Sequence, residues 1–360
     1  MLGLFQGFGL GIEDFTIMVQ ILGLVLLSFF TVSILLVPFI NLLYKIKFQR
    51  QKQKTKDIFE GRTLIFDRLH AHKAGTPVGG GALIIFVVTV IYLLVMSAMP
   101  HLGWVRTAVY PFNKEVQVLL FTFISFGVLG LYDDLRKTFG FRRTNFWGIR
   151  ARFKFIAQWI LAFIVASTLY FSLGIEIVNI SFFNVFNLGY LYIPFAAFVI
   201  VSFTNAVNIS DGLDGLASGL LLICIAAFLV ISGAILDTTL SVFLGLWIGA
   251  LIAFLYFNIW PARIILGDVG ALSFGATLAV AGLLLGKPIA LVLVGGMFVV
   301  EVTSSATQLL SKKLRGKRLF EVAPLHLLVQ HKGWEEPKIV FRFWLAQLIL
   351  AILGLWLSFL

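Results

Sequence analysis

Charge is what this sequence has least of. Only 12% of its 360 residues are Asp, Glu, Lys or Arg, about half the share that a soluble domain carries, and that scarcity excludes a water-exposed globular fold. Acidic residues are the rarer sign, 17 against 28 basic ones. One cysteine, Cys224, excludes an internal disulfide and sits in an apolar run where packing accounts for it. Short alternating segments of the kind that build a lipid-facing β-barrel are missing. Tandem repeats and low-complexity tails are missing too. The residues ahead of the first apolar run include Glu13 and Asp14 but no Lys or Arg, so the basic n-region of a cleaved signal peptide is lacking and the first run is expected to be retained.

What is present is apolar. Hydrophobic residues make up 60% of the chain, with 37 phenylalanines. A helix needs roughly 20 apolar residues to cross a hydrocarbon core of about 30 Å, and its backbone must satisfy itself. About ten runs qualify, near 15–41, 77–99, 116–132, 155–173, 191–206, 213–234, 240–260, 271–286, 288–310 and 343–359. The expectation is an all-α polytopic membrane protein, one domain over 1–360. Twenty-five of the 28 basic residues fall in the loops 42–76, 133–154, 261–270 and 311–342. The positive-inside rule makes those loops cytoplasmic and puts both termini outside. Anionic headgroups account for the basic face, so membrane lipids rather than nucleic acid are its expected partners. On the outer side, "GIEIVNISFFNVFNLGY" (174–190) alternates and holds Asn-containing turns, which predicts a short β-hairpin.

Carboxylates recur where that topology reaches the cytoplasm. Asp133 and Asp134 lie in "GLYDDLRKTFG", Asp211 and Asp214 in "NISDGLDG", and Asp268 in "RIILGDVGALSFG". Any one could be a helix cap; three glycine-punctuated acidic motifs on one face point to a site. Mg²⁺ takes oxygen ligands, commonly one or two carboxylates completed by substrate phosphates, so acidic groups in a basic basin fit a metal and phosphate site. On a helix, Asp133 and Asp134 would project about 100° apart, one binding while the other orients. Asp211 and Asp214 would share a helical face. Lys73, Lys137, Arg142 and Arg143 are placed to meet a pyrophosphate. The glycines of "HKAGTPVGGGALIIF" have two readings, an anion cradle at a helix start or close helix packing.

Five motifs in this order, "HKAGTPVGGG", "GLYDDLRK", "NAVNISDGLDGLASG", "GDVGALSFG" and "GWEEPKIVFRFW", resemble those of the polyprenyl-phosphate N-acetylhexosamine-1-phosphate transferases, and the first and last favour the muramoyl-pentapeptide branch. The resemblance covers nearly the whole chain. It implies a bacterial inner-membrane enzyme with active-site loops on the cytoplasmic face. Its Mg²⁺-dependent reaction would move phospho-N-acetylmuramoyl-pentapeptide from UDP-N-acetylmuramoyl-pentapeptide to undecaprenyl phosphate, releasing UMP in peptidoglycan synthesis. By motif position Asp268 is the metal ligand, with Asp211 as a second candidate ligand. Asp133 faces the lipid phosphate, supported by Asp134 and Lys137. Lys73, Asn208, Asp211 and Asp214 fall on the nucleotide-sugar side, Thr76, Lys137 and Asn205 are further substrate-binding candidates, and His326 joins the catalytic set. A homodimer is common among such enzymes.

The departures lie on the nucleotide side. The family carries three consecutive histidines after an Ala-Pro pair, whereas here "APLHLLVQH" keeps His326 and replaces the next two with Leu327 and Leu328. Leucine neither donates a hydrogen bond nor carries charge, and His331, though close in sequence, is not assumed to substitute. Val78 stands where a second threonine is usual, and Ile265 where an aromatic could stack on uracil. A sister enzyme using UDP-N-acetylglucosamine or another UDP-sugar therefore stays open, as do a catalytically dead descendant and a cation-binding transporter. Glu301, inside an apolar run, needs a cavity or a partner; with Thr303, Ser304 and Ser305 beside it, it marks either a bend in the ninth span or a side chain that reaches the interface.

Overall fold

A computed structural model describes residues 12–50, 64–101, 104, 107–139, 151–180 and 184–360. Nine helices among these residues are long and apolar enough to cross a membrane, and a bent pair can serve as a tenth. The chain is a multi-pass membrane protein. The spans are α1 (Ile12–Lys45), α3 (Gly80–Ala98), α4 (Phe112–Phe139), α5 (Ala151–Leu173), α6 (Tyr192–Ser210), α7 (Leu216–Ala234), α8 (Thr238–Asn258), α9 (Gly267–Leu284) and α13 (Glu336–Ser358). Short helices α2 (Leu64–Leu69) and α12 (Leu325–His331) lie in the loops, and the bent pair is α10 (Pro288–Val294) and α11 (Gly296–Arg315). The hairpin forms as β1 (Ile177–Ile180) against β2 (Asn184–Asn187), antiparallel with Ile177 opposite Asn187; residues 181–183 between them lie outside the described set.

Helix α9 is the axis of the bundle. Nearly all of its surface is buried, against α4, α6, α3 and α7, which its small residues allow. A Cβ on Gly130 of α4 would lie 2.1 Å from the Asp268 carbonyl oxygen, one on Gly275 would lie 2.5 Å from the Phe203 carbonyl oxygen, and one on Gly81 would lie 2.2 Å from the Gly270 Cα. Without a hydrophobic drive between helices in lipid, such close approach is what holds a bundle together. The glycine-rich start of α3 therefore serves packing and not anion binding. The Gly79, Gly80 and Gly81 N–H groups donate to the carbonyls of Ile265 and Leu266, so they are engaged and cannot cradle a phosphate.

The bend between α10 and α11 is 82°, and it falls at Gly295, six residues before Glu301. A Cβ at Gly295 would lie 2.5 Å from the ring of Phe203. Groups freed by the break find partners on neighbouring helices, as hydrocarbon requires. Gln347 of α13 accepts the Met297 N–H at 2.9 Å and donates to the Val294 carbonyl, which also receives the Cys224 thiol at 2.9 Å. The expected bend is present, but Glu301 does not make it.

Candidate active site

The acidic motifs converge on the end of the bundle where α4 and α6 finish and α5 and α9 begin. Asp133 and Asp134 are in the last two turns of α4, both buried, and helical geometry separates their roles. Asp134 Oδ2 accepts the Val269 N–H at 3.0 Å and so caps the start of α9. Asp133 points the other way, with Oδ2 3.0 Å from Lys137 Nζ and 3.1 Å from Lys154 Nζ.

Asp268 sits in the first turn of α9, where the helix dipole favours a carboxylate. Its Oδ2 is 2.7 Å from Lys137 Nζ and in contact with Lys154 Nζ, and its Oδ1 receives Asn208 Nδ2 at 3.2 Å. Two lysines thus bridge Asp133 and Asp268, and four helices meet in one charged cluster. Gly267 makes the approach feasible. Its φ of +79° favours glycine, and a Cβ there would lie 2.7 Å from Asp134 Oδ2.

A cavity of about 120 Å³ opens beside this cluster, lined by Arg50, Asp134, Lys137, Asp211, Ile265 and Asp268. Asp211 caps the C-terminus of α6. Burial pushes its carboxyl up to about 8, opposed by Arg50 and reinforced by Asp268. A carboxyl pushed up by burial and a neighbouring carboxylate is suited to a cation. Val78 and Ile265 give the same cavity an apolar wall.

Lys73 and Asp214 are brought to each other. Lys73 Nζ lies 2.8 Å from Asp214 Oδ1 and 2.5 Å from Glu336 Oε1, and it donates to the Gly212 carbonyl at 3.0 Å. Glu336 Oε1 also accepts the Asp214 N–H at 2.6 Å, and Asp214 Oδ2 accepts the Ala262 N–H at 2.9 Å. This buried lock ties the loop before α3, the α6–α7 turn, the α8–α9 loop and the start of α13 together. Asp211 and Asp214 consequently do not share a helical face, because α6 ends at Ser210 and the turn sends the two carboxylates to different partners.

Of the remaining expected residues, Asn208 reaches Asp268, whereas Asn205 donates to Gln158 of α5 at 2.8 Å inside the bundle. The Thr76 carbonyl accepts the Arg50 N–H at 2.8 Å, fixing the segment that carries Arg50 to the cavity. His326 is buried against the Gly212 turn and bonded to Glu301. Leu327 is buried and Leu328 half-buried, and His331 is out at the surface, 3.8 Å from Glu321. Arg142 and Arg143 lie outside the described residues. Three contributors carried no sequence signal of their own: Lys154 and Arg50, each one basic residue among many in its loop, and Glu336, which belongs to a quoted motif without an assigned role.

Among the described residues, no three His, Cys, Asp or Glu side chains gather as a metal cluster. Mg²⁺ needs fewer, since phosphates and water complete its shell. Two carboxylates lining one cavity, Asp268 and Asp211, together with the Asn208 amide on Asp268, fit that requirement.

The comparisons with known proteins bear on what such a site serves. Residues 116–286 match the family model described as glycosyl transferase family 4. A phospho-N-acetylmuramoyl-pentapeptide-transferase of Caldanaerobacter subterraneus subsp. tengcongensis is 39% identical over 283 residues, covering 78% of this chain and 84% of that protein. One of the same name from Rickettsia canadensis is 36% identical over 332 residues, covering 86% of each.

Proposed function

The chain belongs to the phospho-N-acetylmuramoyl-pentapeptide-transferase family, and from that premise we propose that it transfers phospho-N-acetylmuramoyl-pentapeptide from its UDP derivative to undecaprenyl phosphate in the bacterial cytoplasmic membrane, with the site facing the cytoplasm. The supporting observation is the Asp133–Lys137–Lys154–Asp268 cluster beside the Asp211 cavity. Two phosphorylated substrates must meet at one point, and here partly exposed lysines, carboxylates and the Asn208 amide from four helices meet beside an open cavity.

In the reaction a lipid-phosphate oxygen attacks the β-phosphorus of the donor. The bond from that phosphorus to the bridging oxygen breaks, and UMP leaves with the electron pair. Asp268 and Asp211 would hold Mg²⁺, which supplies positive charge against the diphosphate. Lys137 and Lys154, now shared between two carboxylates, are the cations that incoming phosphates would meet. Asp133 holds both lysines in place. A base is not demanded of it, because a phosphate monoester with a second pKa of about 6 is largely dianionic at neutral pH. Positioning and charge neutralisation carry most of phosphoryl transfer. Asp134 acts at one remove, setting the start of α9 and with it Asp268.

The test is UMP release from UDP-N-acetylmuramoyl-pentapeptide and polyprenyl phosphate, with and without Mg²⁺, against an Asp268→Ala control. Release that requires Mg²⁺ and is lost in the variant supports the reading; no release above the control rejects it. One observation favours running UDP-N-acetylglucosamine in parallel. Leu327 and Leu328 stand where donors to the nucleotide side are usual, and faster turnover with that donor would move the chain to a sister activity.

A further inference from the structure

Glu301 lies mid-way along α11 and is fully buried. An ionisable side chain at such a position needs a partner, and among the described residues its side chain bonds a single one. Glu301 Oε1 accepts the His326 backbone N–H at 3.1 Å, and Oε2 is 2.7 Å from His326 Nδ1. One turn along, Ser304 Oγ accepts the Leu325 N–H at 3.1 Å. The start of α12 is therefore held on α11 by its backbone, and the imidazole is fixed by the same carboxylate.

The far side of the ring is different. His326 is 1% exposed, and its Nε2 is buried with no protein partner among the described residues. Nε2 faces Gly212, where a Cβ would lie 2.6 Å from it. The Gly212 carbonyl is not its partner, being taken by His70 Nε2 at 3.0 Å and Lys73 Nζ at 3.0 Å. A buried polar atom without a protein partner is open to one from outside the fold. It sits against the turn between Asp211 and Asp214.

We infer that Glu301 is a positioning residue for the donor nucleotide: it fixes His326 through Nδ1 so that Nε2 is directed to the Gly212 turn, where it hydrogen-bonds the diphosphate of the UDP-sugar. This rests on the transferase reading. A phosphoryl oxygen only accepts, so the ring must donate from Nε2 when it binds, and the Glu301 carboxylate at Nδ1 is what holds the ring in that orientation. With Leu327 and Leu328 beside it, His326 carries this contact without neighbouring histidines. A single well-oriented ring then matters more than it would in a triplet.

The experiment compares wild type, Glu301→Gln, His326→Asn and the double variant in the UMP-release assay, with detergent gel filtration and Tm as folding controls. The glutamine amide offers one acceptor where two are used. The expected result is a KM for the UDP-sugar raised about tenfold in each single variant, kcat less affected, and no further loss in the double variant. Losses that multiply in the double variant, or a KM unchanged in Glu301→Gln, would overturn the inference. A second readout does not depend on turnover. In ¹⁵N-histidine-labelled wild-type protein, with the His326 signal assigned by its loss in His326→Asn, Nδ1 is expected to be the protonated nitrogen. A bare Nδ1 overturns the inference even if the enzyme is active. Absence of UMP release from wild type with any donor would reject the transferase reading and leave the tautomer to decide the placement of the ring.

Discussion

Asp268 owes its position to three neighbours that do no chemistry of their own. Gly267 supplies a left-handed φ, Asp134 caps the following N–H, and Gly130 lets α4 press against the Asp268 backbone. Gly267→Ala is therefore expected to cost about 1–3 kcal/mol from backbone strain alone, with a further loss because its Cβ would push Asp134 off the cap. Tm should fall, and UMP release should fall more steeply than Tm explains; unchanged activity would remove Asp134 from the positioning of Asp268. Asp211 offers a pH test. Its carboxyl is pushed up to about 8 by burial, so binding a cation must expel a proton, and Mg²⁺ affinity should rise with pH through that value and level off above it. Titrating Mg²⁺ dependence from pH 6.5 to 9, as a range spanning about 8, should show this slope in wild type and lose it in Asp211→Asn. At this scale the aspartates were legible because each sits in a glycine-punctuated motif. Lys154 was not, since a lysine in a basic loop announces nothing until folding brings it to Asp133.

The elements show where pattern reading stops. Apolar length located the spans and alternation located the hairpin, since both are local properties. Helix ends were less legible: α4 continues to Phe139 and α13 starts at Glu336, because ion pairs inside the site let charged turns stay helical beyond the apolar run. Three-residue spacing alone cannot distinguish a helix from the turn that follows Ser210. The glycines of α3 had two readings in sequence, and only the placement of Ile265 and Leu266 decides for packing. The bend at Gly295 depends on a side chain more than fifty residues away, which no local pattern encodes. Gln347→Leu keeps the volume and the apolar surroundings but orphans the Met297 N–H and one bond to the Val294 carbonyl. A loss of about 1–3 kcal/mol per unsatisfied group follows, and detergent-solubilised protein should show a lower Tm and faster exchange of the Met297 amide. An unchanged Tm would mean that the break is held by packing alone.

Across the whole molecule the apolar belt and the charged end are separate systems. α1, α5 and α13 expose Leu, Ile and Phe to the surrounding lipid, while carboxylates and lysines from distant parts of the chain meet at the bundle end. The charge asymmetry of the loops forecasts which end is which. The only cysteine, Cys224, is buried, so single cysteines can report orientation. In bacterial cells, Val185→Cys in the hairpin should react with a membrane-impermeant maleimide, and Lys313→Cys at the end of α11 should react only after permeabilisation; the reverse pattern would put the cluster on the outer face. Whether this cluster joins a nucleotide-activated sugar phosphate to a lipid phosphate is decided by UMP release in the presence of both substrates and Mg²⁺. Release should stop when Mg²⁺ is chelated and fall to background in Asp268→Ala. Release that persists unchanged in that variant, or none in wild type with any UDP-sugar, would contradict that role.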